Sequence, residues 1–113
     1  MILNLTPHPI RMYSDTREDG IDDLEPGLLY IIEPQPAPAR LATIELGYND
    51  GAELIEFGHA HDLPGKQDGV RYVVSLVVAL ALADRRSDLL VPYREVRNGS
   101  GTVIGCRTFA QPV

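Results

Sequence analysis

Three histidines are the side chains of this sequence whose ordinary pKa lies closest to neutrality, and two of them stand together: in "GHAHD", residues 58–62, His59 and His61 are two positions apart. On a strand that spacing projects both imidazoles from one face. With Asp62, or with His8 from the start of the chain, they would make a ligand set for a divalent metal and support hydrolysis. The segment abuts Gly58 and "LPG", residues 63–65, which reads as a loop where alternate side chains need not converge. A metal-dependent hydrolase on His59, His61 and Asp62 is therefore the alternative reading, and solvated loop histidines the simpler one.

Nucleophiles are less promising. Ser75 has no glycine elbow around it, and its place before an apolar run makes it a helix cap. Cys106 follows Gly105 in an apolar stretch and reads as a small buried hydrophobe. As the one cysteine it forms no internal disulfide, which suits a reducing cytoplasm. No phosphate-binding loop of the G-x-x-x-x-G-K-[ST] type occurs, and "NGSG", residues 98–101, is explained by hairpin geometry. Nothing calls for a cofactor.

His8 stands between Pro7 and Pro9 in "LNLTPHPI", residues 3–10. The prolines fix the corner, so its side chain has little entropy left to lose, which serves either ligand binding or pinning the bend by a hydrogen bond. Asn4, Thr6 and His8 alternate, and in an extended chain they share one face while Leu3 and Leu5 point to the core. Such a polar row is a solvated face or one wall of a pocket. The opposite wall would come from the N–H groups after Ser75 and from Arg85, Arg86 or Arg97, whose guanidinium forks suit phosphate or carboxylate. The candidate ligand site is therefore Asn4, Thr6, His8, Ser75, Arg85, Arg86 and Arg97, with His8 as hydrogen-bond donor to a small anionic, nucleotide-like molecule. For any single arginine, pairing with Asp84, Asp88 or Glu95 nearby is the simpler fate.

The elements that must position these groups are short. A chain of 113 residues, 44% hydrophobic and 23% charged, fits one globular domain, residues 1–113. Nine prolines and ten glycines argue against a helical bundle and for short strands joined by turns. Strands are expected over residues 2–6 and 10–13 around the proline hinge, then 28–32, 41–46, 53–57 and 70–74. Residues 15–26 form an acidic exposed loop, with Arg17 as its one base, and "EPQPAPAR", residues 33–40, runs as a stiff polyproline II connector. Residues 76–83 form a helix apolar on every side, enclosed by sheet or by a second subunit, and this predicts a homodimer. Residues 89–91 give another strand stopped by Pro92, and residues 95–97 and 102–109 a C-terminal β-hairpin. The fold class is thus α+β, a mixed sheet of short strands packed on one central apolar helix.

A net charge of −6 argues against a generic grip on nucleic acid, which depends on many basic groups releasing counterions. The longest apolar run, residues 73–83, is interrupted by Ser75 and too short to span a bilayer, and no charged region leads a long apolar stretch at the N-terminus, so a cytoplasmic protein without membrane contact is expected.

Several segments together carry a family likeness: "LNLTPHPI", "ARLATIELG", "DLPGKQDGVRYVVSLVVALAL", "RRSDLLVP" and R-x-x-x-G-x-V-I-G-C. The chain resembles a family of small proteins of bacteriophages, prophages and actinobacterial genomes across nearly its whole length. The family's recurrent parts are an N-L-T-P-H-P opening, a leucine-proline step, a Y-[IV]-V-S strand-to-helix junction and an arginine-aspartate pair before a final strand. They fall here on Asn4 to Pro9, Leu63-Pro64, Tyr72 to Ser75, and Arg86 to Pro92, with Ser87 widening the arginine-aspartate step. The resemblance implies provenance and no established activity. The strand-to-helix layout also resembles, more distantly, small viral proteins that bind cyclic oligonucleotide signals at a dimer interface, some cleaving them. Their catalytic histidine and helix arginine have no counterpart here, and cleavage is not carried over. The expectation is a phage-type accessory binding protein, non-enzymatic, whose partner is a small anionic ligand or a host protein.

Overall fold

The computed structural model describes every residue, Met1–Val113. In chain order the elements are β1 (Ile2–Asn4), β2 (Ile10–Tyr13), β3 (Leu28–Ile32), β4 (Arg40–Asn49), β5 (Ala52–His61), β6 (Arg71–Val73), α1 (Leu76–Leu82), β7 (Leu89–Arg97) and β8 (Val103–Ala110). The protein is mostly β, with one short helix.

Six strands form a mixed sheet in the order β1-β6-β7-β8-β2-β3. β1, β6 and β7 are parallel, β7 and β8 form the expected antiparallel C-terminal hairpin, β8 and β2 are parallel, and β2 and β3 antiparallel. A bridge from Asn4 to Pro34 brings the end of β3 back to β1, so the sheet is nearly closed. α1 makes the crossover between the parallel strands β6 and β7, which a two-residue turn cannot join.

β6 and the start of β7 are covered on both faces, which is why "YVV" and "LLV" are unbroken apolar runs without alternation. Tyr72, Val74, Leu89 and Val91 enter one core cluster with Leu5, Val78 and Ala79. Val73 and Leu90, one residue out of phase, enter a second with Ile10, Met12 and Cys106.

The sheet alone does not enclose the helix. Seven residues make about two turns, and only the face carrying Val78 and Ala79 meets the core. Leu76 and Leu80 remain 57% and 58% exposed, so α1 covers one side of the sheet and leaves its other face bare.

Pro92 does not stop its strand. The carbonyls of Asp88 and Leu90 accept from Tyr72 and Val74 on the β6 side, and by alternation the missing N–H of Pro92 faces the same side, where β6 has ended. β7 therefore runs through it, pairing Pro92 with Phe109 of β8.

β4 and β5 stand apart as a two-stranded ribbon, longer than the two segments expected from the sequence. Its turn, Asp50-Gly51, has φ of 51° and 83°, the signs that a type I′ hairpin demands.

Candidate functional site

At the N-terminal corner the structure corrects the expected polar row. Asn4 is fully buried, because its amide is the hub of the bend. Its Nδ2 donates to the carbonyls of His8 and Ile32 at 2.8 and 3.1 Å, and its Oδ1 accepts from the Thr6 N–H and Oγ1–H at 2.9 and 2.6 Å. Thr6 Oγ1 also reaches the His8 carbonyl. Asn4 and Thr6 are thus committed to holding the corner and offer nothing to a ligand. His8 contributes its carbonyl to this network, while its side chain is exposed and free of partners.

Ser75 lies beside this corner, since β1 and β6 pair in parallel register with Asn4 opposite Val73. It is the N-cap residue of α1 by position, but its hydroxyl makes no capping bond, in contrast to the expected role.

The arginines do not join them. α1 carries the chain back to the opposite end of the parallel strands, where Arg86 pairs with nearly buried Asp88 through Nε–Oδ1 and Nη2–Oδ2 contacts of 2.9 Å. The same guanidinium donates to the Pro64 carbonyl at 2.9 Å, so the leucine-proline step and the arginine-aspartate pair of the sequence are one structural clamp. Hydrogen bonding from Arg86 holds the Asp88 carboxyl below its ordinary range, against the opposing effect of burial. Arg85 is exposed and faces Asp84 at 3.6 Å. Arg97 lies at the far end of β7, where its side chain donates to the Gly101 carbonyl and its N–H to Asp19. The seven residues therefore do not line one hollow, because β7 separates its two ends and α1 reverses the chain between Ser75 and Arg86.

His59 and His61 fall on β5, not in a loop, and both are exposed. A register shift between Leu41 and Thr43 disturbs the alternation beside them. Asp62 leaves the strand at φ 58° and lines a different hollow with Leu3, Leu5, Gln35, Leu63 and Pro64. No group of three or more His, Cys, Asp or Glu side chains converges as metal ligands, so the alternative reading lacks its donor set. Cys106 is buried against Met12, and burial pushes its thiol pKa up, away from the nucleophilic thiolate.

A different hollow does gather uncommitted polar groups. It has a volume of about 520 Å³ and is lined by His8, Arg11, Pro92, Glu95, Val103 and Gly105, among others. Of the nine arginines, seven are engaged within the molecule by ion pairs or hydrogen bonds, and only Arg11 and Arg40 have no such partner. Arg11 is placed by β2, whose flanking Ile10 and Met12 are buried and turn the guanidinium to the outer side. The carboxylate of Glu95 and the imidazole of His8 are likewise exposed and unpartnered. Gly105 forms part of the floor because β2 presses on β8 there: a Cβ would overlap the Arg11 carbonyl oxygen and the Tyr13 ring.

The sequence signal for Arg11 is one charged residue between apolar neighbours in "IRMY", which the structure buries on either side of it. The hollow therefore presents two donors and an acceptor at a rigid corner. By contrast, the hollow around Met1, Lys66, Arg71 and Ser87 has its cations satisfied: the terminal amine donates to the Gly69 carbonyl, Lys66 to Ser87, and Arg71 to Ser87 and Gln111.

Compared with known proteins, the chain matches no family model, no curated protein and no solved structure. No helix is long and apolar enough to cross a membrane.

Proposed function

We propose that the protein is a non-enzymatic binding module of the phage accessory type, and that it holds a small anionic molecule in the hollow of His8, Arg11 and Glu95. The observation that carries this reading is the unpaired Arg11 guanidinium at the wall of that hollow, in a molecule that engages most of its other arginines internally. Arg11 and His8 would donate to a phosphate or carboxylate, with the fork geometry of the guanidinium favouring bidentate contact. Glu95 would accept from a hydroxyl or amine of the same ligand, which a nucleotide carries and an inorganic anion does not. Of the residues expected from the sequence, His8 keeps its role, and Arg11 takes the place assigned to Arg85, Arg86 and Arg97.

Calorimetric titration with nucleoside mono- and diphosphates, alongside inorganic phosphate, tests this. Binding of a nucleotide that is abolished in Arg11→Ala and weakened in Glu95→Ala, with the melting temperature of both free variants unchanged, is the expected result. Wild-type protein that binds none of the panel, or an Arg11→Ala variant that binds as well, overturns it.

A further inference from the structure

The β4–β5 ribbon carries apolar side chains that nothing covers. Ile44, Leu46, Tyr48, Leu54, Ile55 and Phe57 are each between 44% and 73% exposed. They occupy both faces, because directly opposed residues share a face: Thr43 with Phe57 and Glu45 with Ile55 on one, Ile44 with Glu56 on the other. Both outer strand edges lack a neighbour. An isolated two-stranded ribbon is marginal in water, and open apolar edges invite pairing with another chain. At its foot, Leu41 packs on the cluster that holds Val78 and Ala79, so α1, on which Leu76 and Leu80 are exposed, stands next to the ribbon's base.

Charge along the ribbon is polarised. Arg40, opposite His61, is the one full cation at the base and has Asp62 just beyond the ribbon's end, whereas Glu45, Asp50, Glu53 and Glu56 occupy the remainder and no Lys or Arg falls between residues 41 and 57. Arg40 has no internal partner, and of the four acids only Glu53 has one, the Tyr48 hydroxyl at 3.3 Å.

We propose that two copies of this chain clasp each other through these ribbons, laid antiparallel about a two-fold axis, with the acidic tip of each against the unpaired Arg40 and the bare α1 face of the other. The symmetry brings opposite charges together twice, with no third surface needed. Ten residues at the strand rise reach about 33 Å, long enough for a tip to meet the partner's foot. With a ribbon about 10 Å wide, the one face that meets the partner ribbon offers roughly 330 Å² per copy, and the α1 face adds to it, which places the clasp toward the small end of specific interfaces. The apolar residues supply the affinity and the exposed charges the register.

Sedimentation velocity at micromolar concentration tests this with two charge reversals. One variant carries Asp50→Lys and Glu53→Lys at the tip; the other carries Arg40→Glu, His59→Glu and His61→Glu at the foot. Wild-type protein should sediment as a dimer, each variant alone as a monomer, and their equimolar mixture as a heterodimer, since only the mixed pair restores both attractions. A monomeric wild type, or variants that dimerise alone as well as the parent does, overturns the proposal. Should either reversal fail to fold, a variant with Arg40→Cys and Asp50→Cys provides the second measurement. Its thiols lie too far apart within one chain to join, so mild oxidation yields covalent dimers if the ribbons cross as described and monomers only if they do not.

Discussion

Replacing Asn4 by alanine isolates what holds the proline corner. The substitution deletes four hydrogen bonds of 2.6–3.1 Å around a fully buried amide. The His8 carbonyl keeps a bond from Thr6 Oγ1, so the Thr6 N–H and the Ile32 carbonyl bear most of the loss. At about 1 kcal/mol for each bond lost, and allowing for the one retained, the cost is about 3 kcal/mol, a large share of the roughly 5–15 kcal/mol that keeps a domain folded. In a chain of this size that lowers the melting temperature by about 12 °C. Urea unfolding followed by tyrosine fluorescence, undisturbed because the chain has no tryptophan, reads the change directly. A loss under about 1 kcal/mol would refute the assignment of the corner to this amide. Asn4→Asp adds a sign. Its carboxylate would still accept from Thr6 but would face the carbonyls of His8 and Ile32, so its folded pKa rises above the unfolded value. Relative to the parent, that variant is therefore least destabilised in acid, and its deficit grows as pH climbs through the raised pKa, a dependence that Asn4→Ala lacks.

Three further outcomes are expected. Asp88 has its pKa lowered chiefly by hydrogen bonding from Arg86, so its contribution is present above the ordinary carboxylate value and lost as pH falls through the lowered one; Asp88→Asn should remove that part of the acid transition measured by circular dichroism. Arg17, 4% exposed, donates to the carbonyls of Glu18, Ile21, Asp23 and Pro26, and Arg17→Met should cost about 3 kcal/mol in chemical denaturation, since it strands those carbonyls. Gly105→Ala forces β2 from β8 and should cost about 2 kcal/mol or more while lowering amide-exchange protection along both strands; an unchanged protein would contradict the close approach described.

Local chemistry made much of the fold legible. The proline hinge, the strands Ile10–Tyr13 and Leu28–Ile32, the short helix and the glycine-turned C-terminal hairpin each stand on a nearby pattern. The β4–β5 ribbon reaches beyond its apolar runs because adjacent Leu54 and Ile55 and two register shifts break the alternation that marks a strand, whereas its Asp50-Gly51 turn is a local hairpin signal. Pro92 misled because its tolerance depends on where a neighbouring strand ends, a fact of topology. The site was less legible still. Asn4 looked like a pocket wall when its partners include Ile32, 28 residues on, and the arginines looked alike until the fold paired most of them. Arg17, a lone base in an acidic loop, likewise showed its purpose only once Pro26 and its neighbours folded over it.

The parallel pairing of β2 with β8 bears on how the molecule is made. Met12 and Cys106, which touch across these strands, are 94 residues apart. A nascent chain emerging from the ribosome must hold Ile10 and Met12 incompletely sheltered until β8, more than 90 residues further on, has been synthesised. The ribbon, joined by two residues, can form long before, so its bare apolar flanks meet the cell while the main sheet is still open. Early association there would shelter the growing chain, and removal of the final strand would leave the whole without closure.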